Sequence, residues 1–235
     1  SNPATSGLDV SIYDTQAQAI SKGMSEDGVF YAMPLYPYLL GLLYALFGHS
    51  LYIVRLFQII IGTLNIFLIY IIGKKIFDKN RALLVLVLSC LYGVFIFYEG
   101  LLVPTTLILF LDLIAIILLI NDNLTKGRVF IAGLFVGLGS LCQGSNILFG
   151  LSLSIWFLIV FKLHPHLNPP PLRREEIGGG GKGNSYNIKF NPRKVIVYSA
   201  LFCAAMLVVI LPVTVRNFLV GGDLVPITAH GGINF

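Results

Sequence analysis

Residues 101–120 read LLVPTTLILFLDLIAIILLI, a run with one charge, Asp112. Twenty residues at ~1.5 Å each cover about 30 Å, the thickness of a bilayer's hydrocarbon core. Lipid offers no partner to a free backbone N–H or C=O, so a run like this must satisfy its own backbone as a helix. Five more runs share the character: 52–73, 82–98, 129–145, 147–163 and 194–214. The predicted fold class is all-α, a polytopic transmembrane bundle of about six spans.

Composition agrees with that class. Of 235 residues, 56% are hydrophobic and 11% charged, with a mean hydropathy of +0.85; soluble domains carry about 25% charged residues. Lys74, Lys75, Lys79 and Arg81 follow the first run, and Lys126 and Arg128 follow the third. Lys162, Arg173, Arg174, Lys182, Lys189, Arg193 and Lys194 flank the connection from fifth to sixth. Positive loops stay in the cytoplasm, which puts 1–51 and 215–235 outside. The net charge of +5 therefore follows from topology and calls for no nucleic-acid partner.

The chain divides accordingly into an outer segment 1–51, five spans within 52–163, a cytoplasmic loop 164–193, a span at 194–214 and the start of an outer loop at 215–235. Segment 34–48 is too short to cross and would invert every later loop if it did. It is expected as a helix lying at the outer interface, with Pro34 and Pro37 in its first turn and Tyr36, Tyr38 and Tyr44 as headgroup-level anchors. Val10, Tyr13, Ala17 and Ile20 follow helical spacing, which predicts a short amphipathic helix over 9–22. A further span ahead of residue 1 is expected, since something must carry 1–51 outward, and the chain is expected to be a piece of a longer protein, inactive alone.

Region 164–193 is Pro-rich and then Gly-rich, buries nothing and is expected to be a disordered loop. It resembles a translated repetitive DNA element. Its glycine run lacks the Lys-Ser/Thr of a phosphate loop. Cys90, Cys142 and Cys203 lie inside apolar runs without metal-like spacing and are expected as buried core thiols.

Polar residues near the outer face are the candidates for chemistry. Asp9 starts the first helix one turn before Tyr13; it suits an N-cap as well as a general base. Glu99 ends the second span within reach of outer water. Asp112 lies at mid-depth, where an ionisable group is a functional hypothesis by default, although a polar contact gluing helices together is the better account of it. Arg55 opens the first span and Arg216 closes the last, both on the outer face. Two guanidinium groups there suit a phosphate-headed lipid, as does plain interfacial snorkelling. His230 follows the last span in a glycine-rich stretch.

Five pieces in this order carry a family resemblance: Asp9-x-x-x-Tyr13-x-x-x-Ala17-x-x-Ile20-x-x-Gly23; Pro34-Leu35-Tyr36-Pro37-Tyr38-Leu39-Leu40; Val54-Arg55-Leu56; Tyr98-Glu99-Gly100-Leu101-Leu102; and Arg216-Asn217-Phe218-Leu219-Val220-Gly221-Gly222-Asp223 followed by Gly231-Gly232-Ile233-Asn234-Phe235. The chain resembles bacterial glycosyltransferases of the GT-C superfamily, similar to protein O-mannosyltransferases and aminoarabinose transferases. That resemblance implies a multi-pass enzyme of the bacterial inner (plasma) membrane moving a sugar from a polyprenyl-phosphate donor to a lipid or protein acceptor. It implies Asp9 as the catalytic base, with Tyr13, Tyr36, Arg55, Glu99, Arg216 and His230 around the substrate. Val10 stands where relatives often carry a second acidic residue, Pro104-Thr105-Thr106 where an acidic residue often sits, and Gln143-Gly144 in place of an Arg-Pro pair. Some relatives use a divalent metal; no ligand set for one stands out here. The alternative class is a multi-pass transporter or lipid-linked-sugar flippase, whose pathway Asp112 and Glu99 would line and which would show internal repeats; the sequence has none.

Overall fold

The computed structural model describes the backbone of residues 8–24, 28–121, 124–163, 192–222 and 225–228. The Asp9 carboxylate, all of His230 and the loop 164–191 lie outside the described residues.

Among the described residues the chain is helical, without strands. Helices α1 (Leu8–Ser21) and α2 (Leu35–Phe47) precede α3 (Leu51–Ile76), α4 (Lys79–Leu91), α5 (Gly93–Gly100), α6 (Thr105–Leu119), α7 (Lys126–Cys142), α8 (Asn146–Leu163) and α9 (Pro192–Gly221). By length and composition α3 and residues Val195–Gly221 of α9 can cross a bilayer, and α4 with α5 forms a third candidate bent by 46°. Apolar side chains such as Leu56, Phe67, Leu88 and Val208 stand exposed on these helices, the outward face a lipid-embedded bundle presents.

Two of the expected spans differ in detail. Run 82–98 is two helices, broken at Tyr92-Gly93, instead of one. Run 101–120 becomes helical at Thr105, with Pro104 as the residue before it. The non-helical stretch between is held by α3: Gln58 Nε2 donates to the carbonyls of Leu101 at 2.8 Å and Val103 at 3.3 Å. The side-chain amide gives these carbonyls a donor that, in a continuous helix, the following turn would supply, and so permits the interruption.

Helices α7 and α9 pack backbone to backbone. A Cβ on Gly133 would meet the Phe202 carbonyl oxygen at 2.5 Å and Ala205 Cβ at 2.8 Å, and one on Gly137 would meet Met206 Cα at 3.1 Å. Small residues four apart let two helices approach this closely. Val129, Ala132, Val136, Phe202 and Met206 fill the seam. Thr125 caps α7 by accepting from Arg128 N–H at 3.4 Å, satisfying one of the free donors of its first turn.

Helices α1 and α2 lie together, with Val10, Ala17, Tyr36, Leu40 and Tyr44 packed on Val54, Leu102 and Cys142 of the bundle. Of the expected headgroup anchors, Tyr38 is 43% exposed, but Tyr36 (2%) and Tyr44 (4%) are core residues. Their hydroxyls find protein partners, as buried phenols must. The thiols also divide: Cys142 is buried and Cys203 half-buried, whereas Cys90 is exposed on the same apolar face as Val87 and Leu91.

Candidate functional site

The apolar face of α1 turns Tyr13 toward α2, where its ring meets Tyr36 edge-on at 5.3 Å. The Tyr36 hydroxyl accepts from Gln58 Nε2 at 3.3 Å, and burial, with Tyr44 next in weight, pushes that phenol up, so it stays protonated. Arg55 lies three residues before Gln58, on the same face of α3. Asp9 lies one turn before Tyr13 on α1. Thus Tyr13, Tyr36 and Gln58 form one line of contacts from the helix bearing Asp9 to the turn bearing Arg55. Arg55 Nε and Gln58 Oε1 are buried with no hydrogen-bond partner, a costly state that calls for an explanation.

A second cluster lies on the same helix. Asp14 Oδ1 accepts from the Tyr44 hydroxyl at 2.6 Å and lies 3.1 Å from His49 Nε2, while Oδ2 accepts from Gln18 Nε2 at 2.8 Å. The Asp14 side chain is 14% exposed and that of His49 47%. The His49 ring stands edge-on to Tyr44 at 4.7 Å. Burial first, then the bond to Asp14, pushes the Tyr44 phenol up, so it remains a donor.

Arg216 closes the bundle elsewhere. Its Nη1 donates to the Gly28 carbonyl at 3.1 Å, and its guanidinium lies 3.8 Å from the Phe30 ring centroid. Next to it, wholly buried Asn217 accepts from Phe30 N–H and donates to the carbonyls of Val225 and Ile227. Thr228 Oγ1 donates to the Tyr31 carbonyl at 2.7 Å. The segments 28–31 and 225–228 are so pinned to the end of α9. Beneath them an apolar cavity of ≈290 Å³ lies between Phe30, Leu35, Tyr38, Leu141, Val213 and Arg216.

Glu99 packs on α3 one turn beyond Gln58. Its carboxyl fills the notch at Gly62, where any Cβ would overlap Glu99 Oε1. A cavity of ≈100 Å³ there is lined by Asn65, Thr105 and Thr106 as well. Asp112 accepts from Asn146 Nδ2 at 3.1 Å, tying α6 to the start of α8, the helix-joining contact that a buried polar residue in a bundle is expected to make. Of the sequence candidates, then, Tyr13 and Tyr36 touch and Tyr36 reaches α3 at Gln58, one turn from Arg55; Glu99 packs on α3 at Gly62 and Arg216 lies near the end of α9. Gln58, Asp14, His49 and Asn217 are the residues that sequence reasoning missed. Among the described residues no three His, Cys, Asp or Glu side chains gather to hold a metal.

The described residues form an all-helical membrane bundle with polar clusters where α1, α2 and α3 meet; its class, the membrane glycosyltransferases of the GT-C type, follows from a family match. The chain belongs to the dolichyl-phosphate-mannose-protein mannosyltransferase family, whose model matches residues 32–170. That match takes in Tyr36, Arg55, Gln58 and Glu99, and leaves α1 and Arg216 on either side. No curated protein and no solved structure matches the chain.

Proposed function

We propose that this protein transfers a sugar from a polyprenyl-phosphate carrier to an acceptor hydroxyl on a lipid or protein at the outer face of a bacterial inner membrane. Asp9 takes the acceptor's proton as its oxygen attacks the anomeric carbon. The bond from that carbon to the carrier's phosphate oxygen breaks, the phosphate leaves with the electron pair, and the sugar's configuration inverts. Arg55 offsets the charge that develops on the departing phosphate. Its unpartnered Nε has a donor in reserve for that purpose. The cavity beneath Arg216 suits part of the prenyl tail, being apolar along its walls and cationic at its rim.

The observation that carries this reading is the line from Tyr13 through Tyr36 to Gln58. It supports the reading by linking the helix that holds Asp9 to the helix that holds Arg55, in a chain whose family acts on lipid-linked sugars by name. The test is transfer by the full-length protein in proteoliposomes supplied with polyprenyl-phosphate sugar. Asp9→Asn should lower kcat by about 100-fold or more, the range of a lost general base, with donor KM little changed. Turnover equal to wild type would remove Asp9 from the mechanism.

A further inference from the structure

Helix α1 lies on α2 through a smooth contact. Gly41 of α2 leaves room for Ile20, whose Cγ2 would be 2.7 Å from a Cβ there, and Ala17 packs beside it. Small and aliphatic surfaces like these hold two helices together but define their rotation weakly. Each residue turns a helix by about 100°, so a small rotation of α1 carries Asp9 and Tyr13 away from Tyr36 together.

One carboxylate supplies the missing definition. Asp14 faces the Tyr44 hydroxyl near the end of α2, His49 in the α2–α3 turn and Gln18 one turn along α1. His49 sits two residues before α3 begins and six before Arg55. We propose that Asp14 is a positioning residue: through Tyr44 and His49 it fixes the helix that carries Asp9 against the outer end of the helix that carries Arg55. The inference rests on the functional reading above for what is being positioned, and on geometry alone for the tie itself. Charged acceptors form the stronger hydrogen bonds, and this one accepts from Tyr44 and Gln18 with His49 Nε2 at 3.1 Å beside it. The Tyr44 phenol, kept protonated by its surroundings, gives its proton to the bond at any physiological pH. A ring nitrogen of His49 supplies the second contact while its ring rests on Tyr44.

The experiment uses the full-length protein in nanodiscs and two independent readouts. Backbone hydrogen exchange over Leu8–Ser21 should speed up at least several-fold in Asp14→Ala and in His49→Leu, with α7 and α9 unchanged. His49→Gln keeps an N–H donor at that place and should retain protection. In the transfer assay Asp14→Ala should lower kcat by about 10- to 100-fold, the penalty of a misplaced group, at nearly constant donor KM, and His49→Gln should recover most of the rate. Wild-type exchange in Asp14→Ala would overturn the tie. Faster exchange with an unaltered kcat would overturn the positioning role. Should Asp9→Asn prove fully active, the functional reading falls, while the exchange arm still judges the tie by itself.

Discussion

Asn146, the first residue of α8, donates from Nδ2 to Asp112 Oδ1 of α6 at 3.1 Å, joining the two helices. Polar pairs of this kind in a bundle contribute about 1 kcal/mol. Asp112→Leu should therefore lower thermal stability in detergent by about that much, because it strands the Asn146 amide. The double variant Asp112→Leu with Asn146→Leu should recover part of it. Strictly additive losses would show that the two groups are not coupled.

The notch at Gly62 behaves differently from the seam at Gly133, and two substitutions separate them. Gly62→Ala meets only the far end of the Glu99 side chain, which can swing away. Stability should change by less than about 1 kcal/mol, while the displaced carboxyl reacts faster with a hydrophobic carbodiimide. An unchanged labelling rate would mean that Glu99 does not sit in the notch.

Gly133→Ala instead meets the Phe202 backbone carbonyl, which cannot move without α9. Overpacking of this sort costs about 1 to 3 kcal/mol. The midpoint of thermal unfolding should fall clearly, and a smaller residue at position 205 should not restore it, since the closest obstacle is backbone.

Removing the Gln58 amide leaves the Val103 carbonyl without its donor at the break before α6, and the Leu101 carbonyl with the Val103 N–H alone. An unpaired buried acceptor costs about 1 to 3 kcal/mol. Gln58→Leu should be destabilising by roughly that amount or more, and Gln58→Met no better, as shape alone does not replace the donor. Equal stability of Gln58→Leu and wild type would refute the role assigned to this side chain.

Sidedness has a direct test at the two ends of α7. In a background without Cys90, Ser145→Cys should react with a membrane-impermeant maleimide added outside intact cells. Lys126→Cys should react only after permeabilisation. The reverse pattern would turn the whole bundle over and remove Asp9 from the outer face.

Much of the fold was legible because hydropathy is a one-dimensional property: apolar runs, basic loops and the proline-flanked α2 show it residue by residue. The break at Tyr92-Gly93 and the late start of α6 are not written that way. Both lie inside apolar sequence, and the second depends on a glutamine 43 residues upstream. The periodicity of Val10, Tyr13, Ala17 and Ile20 marks the face of α1 that packs, with Val10 and Ala17 buried and Tyr13 against Tyr36. Asp14 lies off that stripe, and spacing gives no sign of its partners Tyr44 and His49, which are 30 and 35 positions away. Tyr36 and Tyr44 were misjudged as headgroup anchors for a related reason: spacing puts a tyrosine on a face of its helix, but only tertiary packing says what that face meets. Asn217 could have been suspected, since an amide beside an arginine at a helix end is well placed to collect loop carbonyls.

The glycine seam between α7 and α9 has a consequence for how the chain can be cut. Its grip comes from backbones in van der Waals contact, and it owes nothing to the length of polypeptide that links the two helices. A grip of that kind does not depend on the stretch of chain joining α8 to α9, so material can enter or leave between residues 164 and 191 without loosening it. By the same reasoning the molecule is divisible there: two separately synthesised polypeptides, one ending after α8 and one beginning before α9, carry complementary surfaces that can find each other within a bilayer.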